Sequence, residues 1–127
     1  MDTKEILKKY KKDIDNELRK FFDLRIKRVQ NIDISASQLM NNLKDFTMNG
    51  GKRIRPILII FGYKCVGGRD EKEIIKASLC VELMQSFLLI HDDIIDDDEL
   101  RRGNPTMHKV YDNDYKEDYP AIDSKKF

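Results

Sequence analysis

An all-α fold, an antiparallel helical bundle, follows from three features of these 127 residues. Apolar residues recur at spacings of three and four, the stretches carrying that period end at glycine pairs or open at capping residues, and no segment alternates as a strand. Charged residues make up 37% and hydrophobic ones 40% of the chain. Long amphipathic helices accommodate such a mixture by giving one face to the core and the others to water.

In the first helix Leu7, Tyr10, Ile14, Leu18 and Phe21 form one apolar stripe among Lys, Asp and Glu, which marks core. Residues 31–34 break the period, and Ser35 or Ser37 can cap a second helix that turns Leu39, Leu43 and Phe46 inward. Gly50 and Gly51 end it. Pro56 fits the first turn of a third helix, where its missing N–H costs nothing, and residues 57–66 supply a buried body that stops at Gly67 and Gly68. Asp70 and Glu73 have capping-box spacing and open a long fourth helix, apolar around most of its circumference and therefore central. Gly103 ends that helix, and Asn104 with Pro105 can start a short fifth one. These readings give a helical part over 1–111 and a polar loop or disordered tail over 112–127.

A net charge of +1 gives no overall field for nucleic acid, so electrostatic function has to be local. Residues 1–12 are charged throughout with no apolar h-region, and the apolar run 57–62 is too short to cross a bilayer. No membrane span and a cytoplasmic location are expected. Cys65 and Cys80 lack zinc-ligand spacing and read as buried free thiols.

Two charged constellations remain. Six acids, Asp92, Asp93, Asp96, Asp97, Asp98 and Glu99, fall within eight residues and are followed by Arg101, Arg102 and Gly103. Like-charged neighbours near a helix C-terminus oppose the macrodipole by roughly 0.3–1 kcal/mol each, a cost that a purely structural segment rarely keeps. On a continuing helix Asp92 and Asp96 share a face, and so do Asp93 and Asp97. Such pairs suit Mg2+, which takes one or two carboxylates and completes its shell with water and substrate phosphate. The same run also fits a solvated face with Asp97–Arg101 and Asp98–Arg102 pairs at i,i+4. An EF-hand loop is absent.

The second constellation is Gly50, Gly51, Lys52, Arg53 and Arg55, where glycine lets backbone N–H groups approach an anion and the next helix offers its positive end. It is not a Walker A loop, and alone it also reads as a solvated basic turn. Gln85, Leu88, Asp92 and Asp96 form one stripe of the fourth helix. Gln85, inside an apolar stretch, needs a backbone or ligand partner if buried.

GGKRIRP at 50–56 and ELMQSFLLIHDDIIDDDELRRGNPTMH at 82–108 resemble the trans-isoprenyl diphosphate synthases, or polyprenyl synthetases, with the first DDxxD motif and its RRG partner. The resemblance implies the N-terminal part of an isoprenoid synthase fold. It also implies a prenyltransferase reaction in which an allylic diphosphate ionises with Mg2+ assistance and isopentenyl diphosphate attacks the allylic carbon. It makes Asp92, Asp93 and Asp96 the catalytic acids, Asp92 and Asp96 being the Mg2+ ligands, and puts Arg101 on the allylic diphosphate. Lys52, Arg55, Gln85 and Arg102 would hold isopentenyl diphosphate. Phe87, five residues before Asp92, matches the place of a bulky residue that limits product length, implying a short C15 to C20 product; helix projection alone sets it about 140° from Asp92.

The resemblance covers residues 1–111, less than half of a usual member, and lacks the second aspartate-rich motif. A truncated, inactive fragment is therefore expected, with apolar faces that favour a homodimer or larger self-association. Two other readings stand beside it: a non-catalytic helical module that binds a partner, and a terpene cyclase fragment, which would need no second diphosphate pocket.

Overall fold

A computed structural model describes residues 2–118. It contains five α-helices and one two-stranded hairpin, so the all-α expectation holds. The helices are α1 (Thr3–Val29), α2 (Ile34–Met48), α3 (Ile54–Cys65), α4 (Glu71–Asp96) and α5 (Met107–Asp118). Two compact units divide the chain, Met1–Met84 and Gln85–Phe127, with the boundary inside α4.

In the first unit Tyr10, Ile14, Leu18 and Phe22 of α1 meet Ile57 and Ile60 of α3 and Ile75 and Leu79 of α4. Each such side chain contributes about 1.5–3 kcal/mol through burial. Phe22 lies deeper than the expected Phe21, which packs on the rim. The Tyr10 and Phe61 rings meet edge to face at 5.6 Å. A charged clamp joins α1 and α3 to the start of α4: Lys9 Nζ and Tyr10 Oη donate to Glu71 at 3.0 and 3.2 Å, and Lys64 donates to both Glu71 and Tyr10.

Several boundaries differ from the sequence reading. Asp33, not Ser35 or Ser37, caps α2, accepting from Ser35 N at 2.9 Å. Leu39 is exposed, while Met40 and Met48 pack on the core instead. Asp70 caps α4 as expected, accepting from Glu73 N at 3.0 Å. Asp97, in the left-handed region at φ 55°, ends α4 in place of Gly103. Asp98 N bonds Asp93 O at 3.0 Å, which closes a Schellman turn and satisfies a carbonyl of the last helical turn. Pro105 lies in a strand and α5 begins at Met107. The polar segment expected from residue 112 is helical through Asp118, because α5 continues past Asp112, which is buried; residues 119–127 lie outside the described residues.

Helix α4 buries one stripe, Ile75, Ser78, Leu79, Glu82 and Ser86, while Met84, Phe87, Leu88, Ile94 and Ile95 are exposed. The sequence predicts a central buried helix, apolar around most of its circumference, so this exposed side is a correction. Its mean hydropathy reaches 1.5 over 18 residues, enough by length and composition to cross a membrane, a test that core helices of soluble proteins also pass. Cys80 sits on its exposed side and Cys65 at the exposed end of α3, so neither thiol is buried.

Candidate functional site

The basic turn before α3 is built on three positive-φ positions within four residues. Gly50 and Gly51 have φ of 84° and 98°, and Arg53 has φ 55°. A non-glycine residue in this region costs on the order of 1 kcal/mol and persists where its surroundings hold it. Here they do. The Arg53 side chain turns inward, 3% exposed, and donates from Nε to Asp15 Oδ1 at 2.8 Å, from Nη1 to Glu82 Oε2 at 2.8 Å, and from Nη2 to Thr47 O at 2.9 Å. Lys11 Nζ also donates to Asp15 at 2.6 Å. Burial raises the Asp15 pKa, but the bonds from Lys11 and Arg53 outweigh it and the net shift is downward. The neighbours Lys52 and Arg55 remain exposed, and the side chain of the N-cap residue Arg53 makes no capping bond to α3. Of three cations in the turn, one is structural and two face solvent.

The acidic run divides in the same way. Asp93 is fully buried and takes a forked contact from Arg101, whose Nε lies 2.7 and 3.0 Å from its two oxygens and whose Nη2 also donates. That carboxylate bond holds the Arg101 pKa above its ordinary value against the opposing effect of burial. Asp92 and Asp96 are exposed one helical turn apart on α4. After Asp96 the chain unwinds, so Asp97, Asp98 and Glu99 leave the helix. Asp97 turns to α5, with Lys109 Nζ at 3.4 Å and His108 Nε2 at 3.6 Å.

Leu100–Arg101 pairs antiparallel with Asn104–Pro105. Arg102 and Gly103 connect them at φ 52° and 80°, the backbone of a type I′ hairpin turn. Thr106 Oγ1 donates to Asp98 O at 2.7 Å and ties the hairpin back to the end of α4. The RRG sequence therefore performs two mechanical tasks: Arg101 anchors the hairpin to Asp93, and Arg102–Gly103 makes its turn. Arg102 itself is exposed.

Gln85 is half-buried on α4. Phe87 is 58% exposed, and its ring lies 4.2 Å from that of His91, whose Nδ1 is 2.8 Å from Phe87 O. Within its own unit each group of expected site residues is gathered: Lys52 and Arg55 on one turn, and Gln85, Asp92, Asp96, Arg101 and Arg102 along the end of α4 and the hairpin. The i,i+4 alternative for Asp97 and Arg101 gives way to Arg101 on Asp93.

Among the described residues no three His, Cys, Asp or Glu side chains converge into a ready-made metal cage. Mg2+ does not require one, since it is commonly held by one or two carboxylates with water and phosphate oxygens. The exposed pair Asp92 and Asp96 fits that donor set, whereas Asp93 is committed to Arg101.

The roles of Asp15 and Glu82, which hold Arg53, are not anticipated from the sequence. Glu82 carried a usable signal, an acid within a stretch of apolar residues, which demands a buried partner.

The polyprenyl synthetase family pattern matches residues 36–116. A short chain isoprenyl diphosphate synthase of Methanothermobacter thermautotrophicus is 35% identical over 111 residues, covering 87% of this chain and 31% of the relative. A geranylgeranyl diphosphate synthase of Saccharolobus solfataricus is 48% identical over 59 residues, 46% of this chain and 18% of that protein. The crystal structure of geranylgeranyl pyrophosphate synthase from Corynebacterium glutamicum, complexed with isoprenyl diphosphate and magnesium, superposes with a TM-score of 0.78. It is 31% identical and covers 95% of this chain and 35% of that one. The chain spans about a third of the length of its long matches.

Proposed function

Since the chain belongs to the polyprenyl synthetase family, we propose that it carries the first diphosphate-handling half of a prenyltransferase site. That site condenses isopentenyl diphosphate with an allylic diphosphate to a C15 to C20 product. The observation that carries this reading is the sorting of the acids: Asp93 is buried on Arg101 while Asp92 and Asp96 are left exposed one turn apart.

Asp92 and Asp96 would hold Mg2+, which when bound stabilises the negative charge of a departing diphosphate. Asp93 supports the site by fixing Arg101. Arg101 gives Nε and Nη2 to Asp93, so its contact with the allylic diphosphate would use Nη1. In the first unit Lys52 and Arg55 would grip isopentenyl diphosphate with charge-assisted hydrogen bonds, and in the second unit Arg102 and the Gln85 amide would offer diphosphate-binding donors of the same kind. In the reaction the allylic C–O bond breaks with its electron pair leaving on diphosphate, the isopentenyl double bond forms the new C–C bond, and a proton is lost. Phe87 would limit the length of the growing chain by occupying space with its ring.

The 127 residues alone are expected to show no sustained turnover in a condensation assay. The exposed Met84, Phe87, Leu88, Ile94 and Ile95 favour self-association, and they also support the second reading, a helical module that docks on a partner.

Calorimetry with Mg2+ and a non-hydrolysable allylic thiodiphosphate tests the metal half. Binding that depends on Mg2+ and is lost in Asp92→Asn is the expected result. Absence of Mg2+-dependent binding to the unsubstituted chain would leave the partner-docking reading.

A further inference from the structure

Arg53 stands between the two exposed cations of the basic turn, yet its own side chain cannot reach solvent. All three of its described bonds point back into the first unit, to α1 through Asp15, to the end of α2 through Thr47 O, and to α4 through Glu82. The guanidinium fork is rigid and planar, so three anchored nitrogens fix both the position and the orientation of the side chain. Anchoring the side chain at three points on three helices also restrains the residue that carries it, whose backbone is in the left-handed region that an arginine avoids without support.

We propose that Glu82 and Asp15 are positioning residues for diphosphate binding at the turn 50–55. Through Arg53 they hold the left-handed backbone that presents Lys52 on one side and Arg55, in the first turn of α3, on the other. The inference rests on the reading of this turn as a diphosphate holder and adds residues that touch no ligand themselves.

The physical basis is preorganisation. Lys52 and Arg55 are exposed, flexible side chains, and their combined grip depends on the backbone between them keeping one shape. Glu82 is 10% exposed and Asp15 16%. Removing the charge of either leaves the buried guanidinium undercompensated, and the turn then gains freedom to swing Arg53 toward water. An uncharged isostere at position 82 keeps the packing of α4 and removes the charge-assisted part of the hold.

The test uses the 127-residue chain with inorganic diphosphate as probe, titrated by calorimetry with backbone amides followed by NMR. The unsubstituted chain is expected to bind, with shifts at the amides of Ile54 and Arg55, and the double variant K52A/R55A is expected to lose binding. Glu82→Gln, folded by circular dichroism and assayed well below its melting point, should weaken diphosphate about tenfold or more, the scale on which outer partners of ligand groups act. Asp15→Asn should act in the same direction. In the unsubstituted, ligand-free protein the Arg53 Nε–H should already exchange slowly with water.

If K52A/R55A binds as well as the parent, the reading of the turn itself fails and the inference falls with it. If K52A/R55A loses binding while a folded Glu82→Gln keeps parental affinity, only the positioning role is overturned. Should Glu82→Gln not fold, parental affinity in Asp15→Asn, or an Arg53 Nε–H that exchanges as in a free chain, overturns it equally.

Discussion

Arg53 Nη1 donates to Glu82 Oε2 at 2.8 Å, a buried bond that ties the glycine-rich turn before α3 to the middle of α4 across 29 positions of sequence. Truncation at either end would leave a buried charge without its partner, and Arg53→Ala would also leave Asp15 and Glu82 facing each other's charge. Such a change is expected to cost about 3–5 kcal/mol of stability. Urea denaturation followed by circular dichroism measures it; a loss within the range of a surface pair would contradict the assignment.

The Asp93–Arg101 contact should be separable from metal binding. Asp93→Asn is expected to cost about 2 kcal/mol, the value of a charged hydrogen bond, and to loosen the hairpin. Hydrogen exchange at Thr106 N, which donates to Glu99 O at 3.1 Å, should accelerate. Asp92→Asn should leave that exchange unchanged while abolishing Mg2+-dependent ligand binding.

Acid should weaken the clamp at the start of α4. Donation from Lys64, then from Lys9, holds the Glu71 carboxyl at a pKa of about 2 against the ordinary 4.5, with burial opposing and Tyr10 adding to the fall. The charged form is thus favoured by folding, so its contribution is complete above about pH 4.5 and drains away as pH falls toward 2. Because Glu71 is 36% exposed, screening keeps the effect at about 1 kcal/mol or less. Melting temperatures measured at about pH 5 and about pH 2.5 should differ less in Glu71→Gln than in the parent.

Two glycines should respond oppositely to alanine. Gly62 lies inside α3 with open space where a Cβ would be, so Gly62→Ala should stabilise by about 1 kcal/mol. At Gly68 a Cβ would collide with the Tyr63 ring, whose Oη accepts from Asp70 N at 3.3 Å ahead of α4. Gly68→Ala should therefore destabilise by about 1–3 kcal/mol. Thermal melts of the two variants decide the sign of each.

Periodicity made α1 and the core stripe around Ile14 and Leu18 legible, because a 3.6-residue repeat is a local signal that packing then reinforces. The Asp70 cap and the Gly67 stop were legible for the same reason: each acts within one turn. What the sequence did not disclose was long-range pairing. Nothing near Arg53 announces Asp15 or Glu82, 38 and 29 residues away, so three adjacent cations looked equivalent when one is internal. The end of α4 was misplaced because Asp97 occupies a left-handed position that glycine normally marks, and the RRG segment hid a hairpin turn within what reads as a purely chemical motif. Exposure of Phe87 and Ile95 escaped a reading that equates apolar residues with burial.

The inward turn of Arg53 alters how ionic strength acts on the basic loop. An arriving anion meets two hydrated cations rather than three, because the third is already matched by two carboxylates and withheld from the counterion atmosphere. Added salt screens Lys52 and Arg55 readily and leaves the Arg53 contacts almost untouched. The loop consequently keeps its shape in concentrated electrolyte while losing its attraction for anions, so shape and affinity there answer to different solution variables.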